Sequence, residues 1–489
     1  MIINEVGMIL LTSILLMFIV FVAAVSRKIN VPLIIIALAV GIIFGSDVTG
    51  IIYFDNEKLA QDLANIALIF ILFAGGFGIK NVYFKPVVKP TMLLATLGIL
   101  VTANVTAVIF SLLTGWPFIK SALICAIISS TDAAAVFSIL RNRSINKNVT
   151  SITEIESAAN DPMAIISTTF IMQIILGSSS GTVTSLLLFF WQLIGGTGIG
   201  ILLGIAGAYL FSKIRDLDVG YLYLFLIGMI LLSYGLSDMC MASGMLSVFF
   251  TGFIMGNKKL PFQNGLSSFS GALSFIANVG LFILLGLLVF PKNFSSIWHI
   301  GIILFLIITF VGRPLAVLLC TFFTKLTLRE KTFLSWSGIR GAVPIVLATY
   351  PAAAGIDNQH QIFNIVFFAV TLSIIFQGTT IGKLADILKL SFKGKRQVKQ
   401  TMELVTVHDT DYELIEIFID DDIYEGECKV SEMSLPSGTT ITMINRNDSV
   451  IAPSGQTIIL PGDVLSVLIE MGKIKQGTND VLRMFSKRK

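Results

Sequence analysis

The most informative stretch of this 489-residue chain reads Glu156-Ser157-Ala158-Ala159-Asn160-Asp161-Pro162. It lies in an apolar run that continues to residue 176, and about 20 apolar residues are enough for a helix to cross a bilayer. A charged side chain inside such a helix costs about 3 kcal/mol, so it usually faces a partner or a water-filled cavity and marks a functional site. We therefore expect a polytopic α-helical membrane protein whose function depends on these residues.

The composition agrees with a membrane protein. Hydrophobic residues make up 55% of the chain and charged residues 13%, with a mean hydropathy of +0.87, whereas about 25% of residues are charged in soluble proteins. Lys and Arg are spread over many short segments between the apolar runs and do not form one dense patch, so no nucleic-acid partner is expected. The four cysteines and three histidines follow no metal-binding or disulfide spacing, and we expect no cofactor.

The apolar segments predict about thirteen transmembrane helices. The predicted spans are 8–25, 31–46, 61–79, 91–113, 119–140, 155–176, 183–211, 220–237, 242–256, 270–290, 297–323, 332–353 and 361–388. Basic residues follow the first run instead of preceding it, so we expect a retained helix and not a cleaved signal peptide.

The distribution of Lys and Arg predicts the orientation. With the N-terminus outside, the inner loops hold the basic clusters at 27–28, 80–89, 141–147, 213–215, 258–259, 325–331 and 393–399, and the outer loops hold Lys58, Lys120 and Lys292. Because cytoplasmic loops collect positive charge, we expect a multi-pass protein of the cytoplasmic membrane, in contact with lipid, whose C-terminal region is cytoplasmic.

Four regions are predicted along the chain: a transmembrane body at 1–390, a basic linker at 391–402, a small α+β domain at 403–475 and a tail at 476–489. Alternating apolar residues predict strands at 413–419, 439–445 and 464–469, separated by Pro-Gly turns.

Glu156 and Asp161 are expected to have different roles. They are five residues apart, about 140° around a helix, and cannot face one partner. Pro162 removes a backbone donor beside Asp161 and leaves carbonyl oxygens free to act as ligands. A carboxylate in such surroundings can exchange a proton for a cation near neutral pH, which is the elementary step of antiport. The alternative for Asp161 is a structural salt bridge, although its neighbour Asn160 offers no positive charge.

Two apolar segments contain polar interruptions. Ser129-Ser130-Thr131-Asp132 precedes Ala133, and the pattern predicts a broken helix that restarts with Asp132 as its N-cap. Asp132 would neutralise the positive end of this helix, and Thr131 would lend oxygen to an ion. The stretch from Trp336 to Pro344 is a second Gly-rich break. We expect these to be the two crossing helices of an inverted repeat.

Arg313 and Arg340 require compensation inside the membrane. By elimination, Glu156 is the nearest acid without another assigned role, and we predict a Glu156–Arg340 pair. Arg313 would then snorkel to an interface, or it would pair with Glu156 in place of Arg340.

Two further patterns are interpreted as structural. The run Gly196-Thr197-Gly198-Ile199-Gly200 lies in an apolar span, which favours close helix packing over a dinucleotide loop. The acidic run Asp420-Asp421-Asp422 is interpreted as a solvated turn in preference to a divalent-ion site.

Over residues 8–390, these motifs together resemble the NhaP-type branch of the monovalent cation/proton antiporter superfamily. The motifs are S-S-T-D at 129–132, E-S-A-A-N-D-P at 156–162 and S-G-I-R-G-A at 337–342. The resemblance implies a thirteen-helix fold, a homodimer, and Asp161 as the shared site of cation and proton, with support from Asn160, Ser157 and Thr131. It also implies one-for-one, electroneutral exchange, because the pair is Asn-Asp. Many members carry an acid where this chain has Ala74, which bears on the choice between K+ and Na+.

The region from 403 to 475 resembles the C-terminal half of the RCK domains of potassium channels and transporters. The matching motifs are Leu435-Pro436-Ser437-Gly438, Ile444-Asn445-Arg446, Ile451-Ala452-Pro453-Ser454-Gly455 and Pro461-Gly462-Asp463. The nucleotide-binding Rossmann half is absent, so no NAD site is implied. The resemblance implies regulation by a small cytosolic molecule such as a nucleotide or cyclic dinucleotide.

These observations predict a secondary antiporter that exchanges K+, and secondarily Na+, for H+. The main alternative is an ion channel gated by the C-terminal domain, although the chain has no carbonyl-lined filter motif such as T-V-G-Y-G. An enzyme is not expected, because the chain contains no paired catalytic motif.

Overall fold

The structure is a computed structural model that describes residues 13, 16–18, 20, 22, 33–54, 56–140, 144–177, 182–214, 217–357, 361–392, 412–419, 428–433, 435–446, 449–470, 477 and 480–481. The chain divides into two compact units, Met1–Phe392 and Lys393–Lys489. The basic run at 393–399 and the acidic run at 420–422 lie outside the described residues, as does most of the predicted helix at 8–25.

The first unit is helical. Its helices are α1 Leu33–Phe44, α2 Glu57–Gly78, α3 Asn81–Phe84, α4 Val88–Leu93, α5 Ile99–Thr114, α6 Phe118–Ile127, α7 Ala133–Ile139, α8 Lys147–Ile175, α9 Thr182–Lys213, α10 Val219–Met239, α11 Gly244–Gly256, α12 Gln263–Leu287, α13 Phe294–Ile307, α14 Arg313–Cys320, α15 Leu328–Trp336, α16 Ala342–Ala353 and α17 Gln361–Ile387. Two short strands, β1 Ser144–Ile145 and β2 Ser391–Phe392, pair antiparallel and join the start of α8 to the end of α17.

Within the described residues, seven helical spans are long and apolar enough to cross a membrane, and four shorter apolar helices accompany them. Helix α8 has 29 residues but is more polar, because Glu154, Glu156 and Asp161 interrupt its apolar sequence. It continues through Pro162 without a break. The polytopic helical membrane fold is thus confirmed, and the number of thirteen helices and the inverted repeat stay predictions.

Two predicted spans are each divided into two helices. The span 119–140 becomes α6 and α7, separated by residues 128–132, and the span 332–353 becomes α15 and α16, separated by residues 337–341. Two other spans contain a π-helical turn, Leu94–Gly98 between α4 and α5 and Ile308–Gly312 between α13 and α14. The helix breaks and the π-helical turns both leave backbone N–H and C=O groups without intrahelical hydrogen bonds. Side chains must supply the missing partners inside the helical body.

The glycine run in α9 packs closely against α11, as predicted. A Cβ atom at Gly196 would lie 2.7 Å from the Ser243 carbonyl oxygen, and one at Gly200 would lie 2.5 Å from that of Ser247. Small residues at such positions let two helix backbones approach each other. The run is therefore a packing surface and not a phosphate-binding loop.

The second unit contains a small β domain in its described part. Strands β3 Tyr412–Phe418, β5 Thr439–Arg446, β6 Ser449–Ile451 and β8 Val464–Glu470 form an antiparallel sheet of order β3-β8-β5-β6, and β4 Cys428–Lys429 pairs with β7 Ile458–Ile459. The three predicted strands occur within a residue of their expected bounds. A complete α-helix is not described in this unit, where residues 477, 480 and 481 are the only described α-helical residues and Val430–Glu432 forms a 3-10 helix.

An ion pair joins two of the motifs that mark this domain. Asp463 is fully buried and accepts two hydrogen bonds from Arg446, Nε to Oδ1 at 2.8 Å and Nη2 to Oδ2 at 2.7 Å, and a third from the Leu460 amide. The hydrogen bond from Arg446 to Asp463 raises the pKa of Arg446. Arg446 ends β5 and Asp463 precedes β8, so the pair fixes the turn against the sheet.

Candidate functional site

The first helix break ends with an N-cap. Asp132 has extended backbone geometry, and its Oδ1 accepts a hydrogen bond from the Ala135 amide at 3.1 Å at the start of α7. The capping geometry expected from the sequence is therefore present. A carboxylate at this position opposes the partial positive charge of the helix N-terminus.

The two breaks contact each other through the main chain. The Asp132 amide donates a 2.7 Å hydrogen bond to the Ile339 carbonyl oxygen of the second break. The Asp132 carboxylate also lies against Gly341, where a Cβ atom would collide with it. Since Gly341 immediately precedes α16, Asp132 lies beside the N-terminal ends of both α7 and α16.

Arg340 compensates the partial negative charge at the C-terminal end of α6. Its side chain is fully buried, and its Nη1 donates hydrogen bonds to the main-chain carbonyl oxygens of Ser129 and Ser130, the latter at 2.8 Å. These carbonyls follow the C-terminal end of α6, where a helix carries partial negative charge.

Helix α8 holds the first break through two side chains. Ser157 donates to the Thr131 carbonyl oxygen at 2.7 Å and accepts from the Ala133 amide at 2.9 Å. Asn160 donates through Nδ2 to Thr131 Oγ1 at 2.8 Å and accepts from the Thr131 amide at 3.4 Å. The sequence-predicted residue Thr131 is therefore in direct contact with the predicted residues Ser157 and Asn160. On α8, Ser157 lies four positions before Asp161, which is about one helical turn, and Asn160 lies one position before it.

Helix α17 holds the second break in a similar way, and the sequence analysis missed its residues. Ser373 accepts a 3.1 Å hydrogen bond from the Arg340 amide and donates to Gln377 Oε1, and Gln377 Nε2 donates to the Trp336 carbonyl oxygen at 3.0 Å. Both side chains are buried. Their signal was a Ser and a Gln four residues apart, on one face of a mostly apolar helix.

The predicted Glu156–Arg340 pair is wrong. Glu156 pairs with Arg313, which donates Nη1 to Oε1 and, at 2.9 Å, Nη2 to Oε2, while Nη2 also reaches the Leu334 carbonyl oxygen at 3.2 Å. Arg313 is buried and does not snorkel. The π turn before Arg313 and the packing of α14 decide this partnership, and neither can be inferred from an acid and two arginines in a sequence.

Asp161 lines a cavity of about 470 Å³. The cavity wall combines residues of α2, α7, α8, α12 and both breaks, with Ala74, Thr131, Asp132, Ser157, Asn278 and Gly341 among them. Among the described residues, none forms a hydrogen bond with the buried Oδ1 of Asp161. A buried carboxylate oxygen without a hydrogen-bond partner is available to bind a proton or a cation.

The cavity extends toward one end of the helices. It reaches Gly78 and Lys80 at the end of α2 and Ser151 near the start of α8. Beyond the cavity on the other side, the Tyr350 hydroxyl near the end of α16 donates a hydrogen bond to Asn65 Oδ1 in the first half of α2. Gly78 and Glu154 in this part of the wall are exposed, so the cavity opens toward the end of α2, and α2 contacts α16 beyond its other end.

No group of three or more His, Cys, Asp and Glu residues that could hold a metal ion occurs among the described residues. The four cysteines all belong to the described residues, and no disulfide joins them.

Comparisons with known proteins agree with this architecture. The chain is 32% identical over 453 residues to the K(+)/H(+) antiporter NhaP2 of Shewanella sp. (strain ANA-3), covering 92% of this chain and 79% of that protein. It is 33% identical over 398 residues to the K(+)/H(+) antiporter NhaP of Alkalimonas amylolytica, covering 81% and 69%. The structure of the sodium proton antiporter MjNhaP1 from Methanocaldococcus jannaschii at pH 8 superposes with a TM-score of 0.67 at 26% identity, covering 77% of this chain and 97% of that one.

A family match covers most of the helical unit. Residues 14–386 match the family described as sodium/hydrogen exchanger, transmembrane, and this range contains both helix breaks, the Glu156–Arg313 pair and Asp161. The chain therefore belongs to the sodium/hydrogen exchanger family.

Proposed function

We propose that this protein exchanges a monovalent cation for protons across the cytoplasmic membrane, with K+ preferred and Na+ second. The observation that carries the proposal is Asp161, which lines the cavity and whose buried Oδ1 has no hydrogen-bond partner among the described residues. The names of the relatives, K(+)/H(+) antiporters and a sodium proton antiporter, support cation/proton exchange. The protein acts as a transporter and not as an enzyme.

Exchange follows from competition at one carboxylate. The ionised Asp161 binds a cation, and protonation removes the negative charge and releases it. The proton and the cation use the same carboxylate oxygens and cannot bind together. The site therefore crosses the membrane in one direction with the cation and in the other direction with the proton. Since the neighbouring Asn160 does not titrate, one charge moves in each direction and the exchange is electroneutral.

The surrounding polar residues position the site. Ser157 and Asn160 hold Thr131, so that its oxygens remain at the cavity wall beside Asp161. Asp132 and Arg340 oppose the dipole ends of the broken helices, and the Glu156–Arg313 pair ties α8 to α14. Fixed charges at these ends stabilise the broken helices in mid-membrane, beside the proposed ion site.

The conformation is cytoplasm-facing under the predicted orientation, with the N-terminus outside. In that orientation the end of α2 and the start of α8 are cytoplasmic, and the cavity opens there. The Tyr350–Asn65 hydrogen bond lies on the outer side. Alternating access requires this contact to open when the cavity closes, as one set of helices moves against the other.

The preference for K+ rests on the cavity wall at Ala74. A second carboxylate there would create a stronger field, which favours the smaller Na+, and alanine leaves a weaker field and more room. The resemblance of the C-terminal domain to RCK halves points to potassium as well. The domain would bind a small cytosolic ligand, such as a nucleotide or cyclic dinucleotide, in a homodimer, and regulate exchange.

The direct test compares wild type with Asp161→Asn in proteoliposomes, with proton flux driven by K+, Na+ or Li+ in turn. We expect K+ to drive flux at the lowest concentration and Asp161→Asn to retain less than about a tenth of the rate. A membrane potential imposed with an ionophore should leave the final cation gradient unchanged. Exchange that survives in Asp161→Asn would refute the site, and current without proton flux would identify a channel.

A further inference from the structure

Glu154 places a second free carboxylate in the cavity of Asp161. The two residues are seven positions apart on α8, which is two helical turns and about 10 Å, so both lie on one face. Both line the cavity, as do Ser151 and Ala158 on the same face. The sequence analysis did not single out Glu154, because it precedes the predicted span at 155–176 and resembles an ordinary surface acid.

Glu154 lies between the cavity opening and Asp161. The cavity extends along α8 toward Ser151 and along α2 toward Lys80, and Glu154 is on the α8 wall of that part. Its side chain is exposed, whereas Asp161 is half-buried. An ion that reaches Asp161 through this opening therefore passes Glu154 first.

No Lys or Arg in the described part of the chain forms an ion pair with Glu154. The nearby lysine of the cavity wall, Lys80, donates a 2.8 Å hydrogen bond to the Gly256 carbonyl oxygen, and its ammonium lies 5.7 Å from the centre of the Phe77 ring. These contacts hold the positive charge of Lys80 against α11 and α2. The carboxylate of Glu154 is therefore available to a mobile cation.

We propose that Glu154 is a transient binding site for the hydrated monovalent cation on its way from the cytoplasm to Asp161. The inference rests on the exchange function proposed above and adds a second cation-binding residue to it. A carboxylate at the opening of a low-dielectric cavity raises the local concentration of cations. Lys80 acts in the opposite sense, since a fixed positive charge in the same passage repels the cation.

This role predicts a particular kinetic change. Glu154 helps the cation reach Asp161 and takes no part in the exchange of ligands there, so its loss should raise the half-saturating cation concentration and leave the maximal rate unchanged. A charge about 10 Å from Asp161 changes the capture of the cation there by about two- to tenfold at low ionic strength. Inert salt should reduce the effect, because the screening length falls to about 10 Å at 0.1 M.

The experiment uses everted membrane vesicles, in which the cytoplasmic side faces outward, and measures proton flux against K+ concentration. We expect Glu154→Gln to raise the half-saturating concentration about two- to tenfold, Glu154→Asp to remain within about twofold of wild type, and Lys80→Gln to lower it. Choline chloride should diminish these differences. Asp62→Asn, an exposed acid in the first half of α2 that does not line the cavity, is the matched control and should match wild type.

The proposal is overturned if Glu154→Gln has the wild-type half-saturating concentration, if its effect is confined to the maximal rate, or if the effect is unchanged by choline chloride. Failure of the exchange function would look different, since wild type would then show no flux or Asp161→Asn would show as much as wild type. Glu154→Asp guards against misfolding, because it keeps the charge and shortens the side chain by one methylene.

Discussion

The carboxamide of Asn160 forms two hydrogen bonds with Thr131, one with its side chain and one with its main-chain amide. Thr131 belongs to a helix break, where backbone groups have no intrahelical partner. Asn160 satisfies them from α8, one position before Asp161. The residue that limits the Asn-Asp pair to a single titratable carboxylate thus also fixes the backbone of the break beside Asp161.

Replacing Asn160 with alanine should damage both stability and exchange. The change leaves the buried Thr131 amide and hydroxyl without partners, which costs about 1 to 3 kcal/mol. Asn160→Asp should be milder, because the Thr131 hydroxyl can turn and donate to the carboxylate. Thermal unfolding in detergent and flux in liposomes measure the two effects, with Asn104→Ala, an exposed asparagine on α5, as control. An Asn160→Ala protein as stable as wild type would show that these bonds do not hold the break.

The Glu156–Arg313 pair should behave as a unit. Removing one member of a buried ion pair costs about 3 to 5 kcal/mol, because it leaves an unpaired buried charge. We expect Glu156→Gln and Arg313→Met each to lower the unfolding temperature, and the double variant to lose little more than either one. Combining Glu156→Gln with Arg340→Ala should instead give losses that add more nearly, because no hydrogen bond joins these two residues. Additive losses for the first combination would contradict the pairing seen here.

Gln377→Ala should impair exchange although Gln377 does not line the cavity. The substitution frees the Trp336 carbonyl and the Ser373 hydroxyl, so the second break and Arg340 lose their support from α17, at about 1 to 3 kcal/mol. Ser373→Ala should act in the same direction, and the two changes should not add fully. Thr379→Ala, an exposed position on α17, is the control. Wild-type flux and stability in Gln377→Ala would remove this residue from the site.

Deleting residues 401–489 should preserve exchange that depends on Asp161 and remove its regulation. The chain divides at Phe392, so the deletion leaves the helical unit complete. A ligand of the C-terminal domain can act only if its affinity differs between the transport conformations. Nucleotides that bind the full-length protein by calorimetry should change its flux and leave that of the truncated protein unaffected. A truncated protein that is stable yet inactive would show that the domain belongs to the transport machinery.

Local patterns in the sequence predicted much of the site. The membrane body, the two helix breaks, the cap at Asp132 and the strands at 439–445 and 464–469 follow from interactions between residues close in the chain or from simple periodicity. Asn160 and Asp161 were identified because burying polar and charged groups in an apolar span costs free energy, which indicates a functional role. Such features depend on local backbone preference and burial, and both are encoded within one or two turns of helix or strand.

Packing between distant helices decided the rest. Whether Glu156 meets Arg313 or Arg340 depends on how α8, α14 and the second break are rotated against one another, and either arginine would satisfy its charge. Helix packing also decides that Ser373 and Gln377 support the second break and that Glu154 lines the cavity. The role of a polar residue in a helix becomes visible only when the element that packs against it is known. Charge and polarity are properties of a residue, whereas partnership is a property of the tertiary structure.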